Sequence, residues 1–410
     1  MKPWIYVIGV GEDGLPGLGN ISQNRIKSAD VLIGGARHLQ KIPENFTEKN
    51  ATRIVWGQSF HTTLVSIKKF HGQKIVVLAS GDPMFFGVGK ALLKHFDKSE
   101  VIIRPHMGAF SLAASCMGWS LPDVVTLTVH GRALENVHRY LYPHARLLIL
   151  SRDGETPAEL ARLLTDTGYG DSIISVLEHL GGDLENCIEA QANEWSATKT
   201  ADLNTIAVRC VAGSDAIPLS LVPGLDDDRF IHDGQITKRE IRAVTLAQLA
   251  PKPNEVLWDI GSGSGSIAIE WMRAHPSLKA YAVERHKNRI DNINANAAQF
   301  GVPGLKTLNA SAPDCFKDMS EAPNAIFIGG GLTADGILDQ AWERLRSGGR
   351  LVANAVTLQG EARLLAFAEK INVRFNRLSV SRSAAVGGFQ AMTPMRAVLQ
   401  MIAGKPLNGS

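Results

Sequence analysis

An α/β fold divided between two domains is what this sequence predicts, and three observations predict it. Short, often β-branched apolar runs alternate with helix-like stretches along the chain, the pattern of strand–helix–strand units. Two of these runs lead straight into Gly-rich turns, one at Gly9-Val10-Gly11 and one at Gly261-Ser262-Gly263-Ser264-Gly265. Between them lies a stretch rich in Gly, Pro and Ser, from Val211 to Leu225. It reads as a join, and it sets the expected domains at 1–210 and 225–405 with a linker at 211–224.

The elements follow in order. The first strand runs from Trp4 to Val10. Further strands are expected at Val31 to Ile33, Ile75 to Ala79, Val101 to Ile103, Val124 to Val129, Leu147 to Leu150 and Ile173 to Leu177, with helical stretches at Gly89 to His95 and Pro157 to Leu164. After the join, Ile241, Val244, Leu246 and Leu249 fall at helical spacing within Thr237 to Leu249. Strands follow at Val256 to Ile260, Ala280 to Val283, Ala325 to Ile328 and Arg350 to Ala355. The two halves carry different Gly motifs, so the chain is not an internal repeat.

Size and composition agree with two domains. A chain of 410 residues exceeds one ordinary domain, and 45% hydrophobic residues supply each half with a core. The net charge of +3 gives no argument for nucleic acid but leaves room for a local basic pocket. Cys116, Cys187, Cys210 and Cys315 show no C-x-x-C spacing, so neither metal nor redox chemistry has a signature. A reducing compartment is the simpler setting. The apolar run Ile5 to Val10 is too short to span a membrane, no signal peptide precedes it, and the expected location is the cytoplasm. The residues after Ala403 read as a disordered end.

The stronger chemical signal lies in the second half. Glycines after the strand that ends in Asp259-Ile260 let the backbone approach a ligand that a Cβ would block. The helix behind them offers free N–H groups. The next strand ends in Glu284, where a carboxylate takes ribose hydroxyls, and its loss is expected to leave fold stability nearly unchanged. A dinucleotide site favours G-x-G-x-x-G, but here Ser266 fills the last position and Gly265 comes early. This pattern resembles the first motif of the class I methyltransferases, a Rossmann-like fold that binds S-adenosylmethionine. The resemblance implies donor contacts at Gly261, Ser262, Gly263, Ser264, Gly265 and Glu284, and an adenine contact at Ala312 within Asn309 to Pro313. Amino-methylating relatives carry an Asn/Asp-Pro-Pro-Tyr motif where this chain has Gly329-Gly330-Gly331. Gly329 and Gly330 leave room for a flat substrate; a plain strand-to-loop turn explains them nearly as well.

The run Phe230 to Arg242, taken with these motifs, resembles the C-15-methylating, decarboxylating corrin enzymes of cobalamin biosynthesis over residues 225–403. It implies that Thr237 lies at the donor site. Lys238, Arg239 and Arg242 become candidates to face substrate carboxylates, with a solvated first helical turn as the competing account.

The first half resembles a different family. No regular helix follows Gly9-Val10-Gly11 directly, and Pro16 interrupts the turn, so the motif departs from a dinucleotide fingerprint. The run Val76 to Gly89 is an apolar strand ending in Ser80-Gly81-Asp82-Pro83. Together with Pro105 to Ala114, Leu127 to Arg132 and Val176 to Gly181, it resembles the class III tetrapyrrole methyltransferases, and among them the C-5-methylating corrin enzymes, over residues 3–210. That fold has two α/β subdomains with the donor between them. The resemblance implies donor contacts at Gly9, Gly11, Asp82, Phe85, Ala109 and Phe110. Asp82 has a second explanation, a turn starter bonded to its own loop. His130 and Arg132 are candidates for a substrate carboxylate or members of a surface turn. The His106-Met107 pair departs from the family, where smaller residues are usual.

Together the resemblances imply two S-adenosylmethionine sites per chain and methylation of a tetrapyrrole at C-5 and C-15 with decarboxylation of its ring C acetate. The expected partners are that small molecule and further copies of the chain, with no nucleic acid and no membrane. No catalytic triad or paired-carboxylate motif appears, and no side chain is assigned as catalytic.

Overall fold

The computed structural model describes residues 3–56 and 60–407. The chain forms two compact units: one takes the residues up to Arg132 with Tyr140–Ile217, the other Ala133–Arg139 with the chain from Pro218 onward.

The first unit opens with β1 (Ile5–Val10), β2 (Val31–Gly34), β3 (Thr52–Val55), β4 (Ile75–Ser80) and β5 (Val101–Arg104), a parallel sheet in the order β3-β2-β4-β1-β5. β1 is buried along its whole length, as a parallel strand covered on both faces must be. Its side chains alternate: Ile5 and Val7 join a core with Leu64 and Ile67 of helix Phe60–Lys69, while Tyr6, Ile8 and Val10 pack with Ile26 and Leu39. A second sheet holds β6 (Val125–Thr128), β7 (Arg146–Leu150), β8 (Ile173–Glu178), β9 (Asn186–Gln191) and β10 (Asn204–Arg209) in the order β6-β7-β10-β8-β9, and all but its β6–β7 pair are antiparallel. Helix α1 (Ala109–Met117) buries Phe110, Ala113 and Ala114 against Leu148 and Ala207 of this sheet. The expected helix from Gly89 is shorter than the sequence suggests and ends at Leu92.

In the second unit α2 (Arg239–Leu249) precedes β11 (Val256–Ile260), α3 (Ser266–Ala274), β12 (Lys279–Glu284), α4 (Lys287–Gln299), β13 (Lys306–Asn309), β14 (Ala325–Ile328), α5 (Ile337–Arg344), β15 (Arg350–Ala355) and α6 (Leu358–Ala368). β16 (Arg374–Leu378), the hairpin β17 (Ser381–Val386) and β18 (Phe389–Pro394), and β19 (Val398–Gly404) follow. The sheet order is β13-β12-β11-β14-β15-β19-β16, with β19 antiparallel to both neighbours. Leu257, Ala282 and Phe327 face one core with Trp271 and Ile293; Trp258, Ile260 and Ile326 face the other with Ile337 and Leu364. The strand order reverses between β11 and β14, which opens a crevice at their C-terminal ends.

The stretch expected as a linker is held from both sides. The Gly213 amide donates to the Gly168 carbonyl at 2.8 Å, and the Gly224 amide donates to Glu270 at 2.6 Å. The end of the chain corrects the expectation of disorder. β19 extends to Gly404, and the Lys405 ammonium donates to the Trp342 and Leu345 carbonyls, at 2.7 and 2.8 Å, where α5 ends. A cation at a helix C-terminus satisfies otherwise unpaired carbonyls. Residues 408–410 of that expected tail lie outside the described residues. Among the described residues the four cysteines are free, and no helix is long and apolar enough to cross a membrane.

Candidate functional site

In the first unit three loops meet at the C-terminal ends of β1, β4 and β5. A Cβ on Gly9 would lie 1.8 Å from the Gly81 carbonyl oxygen, and one on Gly81 would lie 2.8 Å from the Gly108 Cα. The three backbones can therefore touch only because residues 9 and 81 are glycine, while a Cβ on Gly108 would meet nothing closer than 3.7 Å. Gly11 makes room for Asp13 and for the His106 ring, whose Nε2 donates to the Gly17 carbonyl at 3.1 Å. That is how the larger histidine is accommodated. Asp82 Oδ1 accepts the Met84 amide at 2.8 Å, the self-bonded turn. Ala109 and Phe110 open α1, whose N-terminus has no side-chain cap. The predicted donor residues of this half are thus assembled at one sheet end, while His130 and Arg132 stand exposed after β6.

A charged group that sequence reasoning missed adjoins these loops. Glu12 pairs with Arg37, with Lys41 at 3.2 Å and with His179 Nδ1 at 3.3 Å. Burial works against its ionisation, but the hydrogen bonds from His179 and Lys41 and the Arg37 charge outweigh this and hold its pKa below the usual carboxylate range. His38, beside Arg37, is pushed down to about 4 by burial and by that neighbouring cation.

In the second unit the Gly loop leaves β11. A Cβ on Gly261 would lie 2.8 Å from Gly330 Cα and N, and one on Gly263 would lie 2.9 Å from the Gln235 carbonyl. The segment leading to Thr237 therefore lies against the loop. Glu284 Oε2 accepts the Gly263 amide at 3.1 Å, and the Ala310 amide donates to the Glu284 carbonyl at 3.1 Å, which ties the segment carrying Ala312 to the same strand end. Asn296 of α4, fully buried, donates to the Ser264 carbonyl at 3.0 Å. Ser262 Oγ donates to the Asp259 carbonyl at 2.7 Å. Two buried polar atoms of this turn, Asp259 Oδ1 and Ser264 Oγ, have no partner among the described residues. Buried polar atoms normally have one, so a glycine cradle with an unpartnered carboxyl oxygen and an unpartnered hydroxyl fits a polar ligand such as S-adenosylmethionine.

A family model described as "Precorrin methyltransferase domain" matches residues 228–405, and one described as "Tetrapyrrole (Corrin/Porphyrin) Methylases" matches residues 4–195. Over 400 residues the chain is 43% identical to the precorrin-6Y C(5,15)-methyltransferase [decarboxylating] of Sinorhizobium sp., covering 98% of this chain and 96% of that relative. The chain belongs to the precorrin-6Y C(5,15)-methyltransferase (decarboxylating) family. The relative of that name from Mycobacterium tuberculosis is 38% identical over 97% of this chain and 98% of its own. The solved C-terminal domain of precorrin-6Y C5,15-methyltransferase from Rhodobacter capsulatus is 38% identical, covers 46% of this chain and 100% of its own, and has a TM-score of 0.43. As a member of this methyltransferase family the chain is an enzyme that uses S-adenosylmethionine, with a tetrapyrrole-methylase domain ahead of a Rossmann-like one.

One expected substrate contact of this methyltransferase is corrected. Arg242 is fully buried; its Nε donates to Glu270 at 2.6 Å and its Nη1 to Asp227 at 3.1 Å. Two further donors go to the Leu225 and Thr237 carbonyls. It locks the start of α2 onto α3 and, with no exposed surface, is out of reach of a substrate. The signal was available: Ile241, Arg242, Thr245, Leu246 and Leu249 form the buried stripe of α2. Arg239 is exposed and pairs with Asp226. Gly330 has only ordinary contacts around an added Cβ, 3.6 Å at the nearest, while Gly329 is crowded by the Phe327 ring at 2.7 Å. Of the two glycines, only Gly330 could carry a Cβ without displacing a neighbour.

Proposed function

We propose that this chain is a bifunctional enzyme of cobalamin biosynthesis, methylating a reduced tetrapyrrole at C-5 and C-15 and removing carbon dioxide from the ring C acetate. The first unit carries the C-5 transfer and the second the C-15 transfer with decarboxylation, the two meeting within the join at 211–224. Each unit holds its own S-adenosylmethionine. The observation that carries this is the pair of separate glycine-packed loop clusters, Gly9/Gly81 and Gly261/Gly330, each at the C-terminal ends of parallel strands in its own sheet.

The donor supplies a sulfonium-activated methyl group, and the conjugated imines of the substrate supply the electron sink for decarboxylation. The chain therefore chiefly positions. Gly9, Gly11, Asp82, Phe85, Ala109 and Phe110 hold one donor; Thr237, the loop from Gly261 to Gly265, Glu284 and Ala312 hold the other. His130, Arg132 and Arg239 take substrate carboxylates, and Gly330 leaves space for the macrocycle. Aligning carbon, methyl and sulfur and excluding water is proximity catalysis. The protein acts in the cytoplasm as a homo-oligomer on a small molecule, without nucleic acid.

The test is incubation of the full chain with donor and precorrin-6B, read by mass. Gain of two methyl groups with loss of one carbon dioxide is expected, and calorimetric titration with S-adenosylhomocysteine should fit two sites per chain. One methyl gained, or one site with both units folded, would end the bifunctional reading.

A further inference from the structure

The loop after Asp82 carries three large apolar side chains, Met84, Phe85 and Phe86, of which only Phe85 is assigned to the donor. It folds back tightly: the Phe85 amide donates to the Asp82 carbonyl at 3.2 Å and the Gly89 amide to the Pro83 carbonyl at 2.8 Å. Gly87 and Gly89 permit this, since a Cβ on either would lie within 2.8 Å of Pro83 or Met84 atoms. The fold-back turns Met84, Phe85 and Phe86 outward, each nearly half exposed, and Met107 of the next loop is exposed beside the same turn. Phe86 has φ +56°, a left-handed conformation that bulky residues rarely adopt. Such outliers cluster at ligand clamps.

The aromatic rings are not loose. Phe85 stands edge-on to buried Phe110 with centroids 5.2 Å apart, and Phe86 lies 6.0 Å from the same ring. The Arg132 guanidinium sits over Phe86, 5.2 Å from its centroid. Among the described residues no carboxylate pairs with Arg132, and His130 is exposed two residues before it. A rigid apolar shelf with an unneutralised guanidinium at its edge matches one kind of ligand: a broad, flat, apolar body with carboxylates around its rim.

Resting on the reading that the first unit methylates a tetrapyrrole, we infer that Phe86 and Met84 form the shelf on which the macrocycle lies. Arg132, held by its stack on Phe86, takes a peripheral carboxylate. Phe85, on the Phe110 side of the shelf, remains with the donor. Phe86 is then a specificity-determining residue of the C-5 step alone.

The experiment compares full-length wild type with Phe86→Ala, Phe86→Tyr and Arg132→Gln. Three quantities are read: KM for the tetrapyrrole in the C-5 step, the C-15 step in the same chain as internal control, and S-adenosylhomocysteine affinity. Losing the buried face of one Phe should raise the C-5 KM at least about tenfold in Phe86→Ala. Phe86→Tyr should stay near wild type and Arg132→Gln should resemble Phe86→Ala, with donor affinity and the C-15 step unchanged throughout. An unchanged C-5 KM in Phe86→Ala, or a change in donor affinity instead, would overturn the shelf while leaving the bifunctional assignment standing. Absorption titration with uroporphyrin III separates the two ideas from the other side. Tighter binding by wild type than by Phe86→Ala, in a wild type without C-5 methylation, would support the shelf and remove the assignment.

Discussion

The carboxylate that ends β12 holds the glycine loop beside it: Glu284 Oε2 accepts the Gly263 amide at 3.1 Å. Its Oε1 accepts the His286 amide at 3.0 Å, and the side chain is buried. Glu284 is therefore a structural group as well as the proposed ribose acceptor, which argues against the expectation that its loss leaves the fold untouched. Glu284→Ala should weaken donor binding in the second unit by about 1.5–3 kcal/mol, the value of a hydrogen bond to a charged group. It should also lower the melting temperature, because two amides lose their acceptor. Calorimetry with S-adenosylhomocysteine and thermal melts of the same variant check both. An unchanged melt would return Glu284 to a purely ligand-serving role, and C-5 methylation should persist either way.

Two glycines that touch each other should respond differently to the same substitution. Gly261 has φ +69° and no space for a Cβ. Gly261→Ala should cost at least about 1–2 kcal/mol from the left-handed backbone alone, and the C-15 step should disappear with the loop. Gly330→Ala meets nothing closer than 3.6 Å and should melt like wild type. A raised tetrapyrrole KM in Gly330→Ala would be the mark of a macrocycle lying against that backbone. An unaltered KM would leave the three glycines as a plain turn.

Arg242→Ala separates a buried lock from a substrate contact. The change leaves buried Glu270 with only the Gly224 and Leu225 amides and Asp227 with only Arg382 as charge partner, and breaking a buried pair on one side costs about 3–5 kcal/mol. The second unit should unfold at markedly lower denaturant, with the first unit's C-5 activity retained. Normal stability with only a raised KM would restore the substrate role inferred from the sequence.

The α/β pattern was legible because parallel strands buried on both faces read as apolar runs, as β1, β4 and β11 do. The antiparallel β10 and β19 went unassigned although both are buried apolar runs, and the antiparallel β9, β16, β17 and β18 were not legible. Their residues are largely exposed or half exposed, so nothing in Asn186–Gln191 or Phe389–Pro394 rises above a polar loop. In the sites, the glycines announced themselves through spacing, and Glu284 through its place at a strand end. The glycines' actual neighbours were not readable: only the fold shows that Gly9 meets Gly81 and Gly261 meets Gly330. Glu12 and His179 stand 167 positions apart, and Asn296 sits unmarked in a helix, so long-range pairing hid both. Arg242 was misjudged because its basic neighbours suggested a surface, although its position on the stripe with Ile241 and Leu249 marked it as interior.

Asp259 Oδ1 is buried without a partner among the described residues. Burial pushes its pKa up to about 7, and the nearby Glu284 charge adds to this, against the opposing hydrogen bonds of Ala268 and Ser262. In the unfolded chain the same carboxyl ionises near 3.8. Between these values the folded protein keeps a proton that the unfolded chain has released. The contribution of Asp259 to stability is therefore greatest below the unfolded pKa, falls as pH rises toward about 7 and is level above it. Donor binding runs the other way. S-adenosylmethionine brings a sulfonium and an ammonium, and an opposite charge favours the ionised carboxylate. Donor affinity in the second unit should thus rise as pH increases through about 7. Asp259→Asn cannot ionise, so it should lose both slopes while keeping a neutral acceptor at the same place. Donor dissociation constants and melts on either side of neutrality, for wild type and Asp259→Asn, supply the test. A wild-type affinity independent of pH, or a slope surviving in Asp259→Asn, would show that this carboxyl does not titrate against the donor.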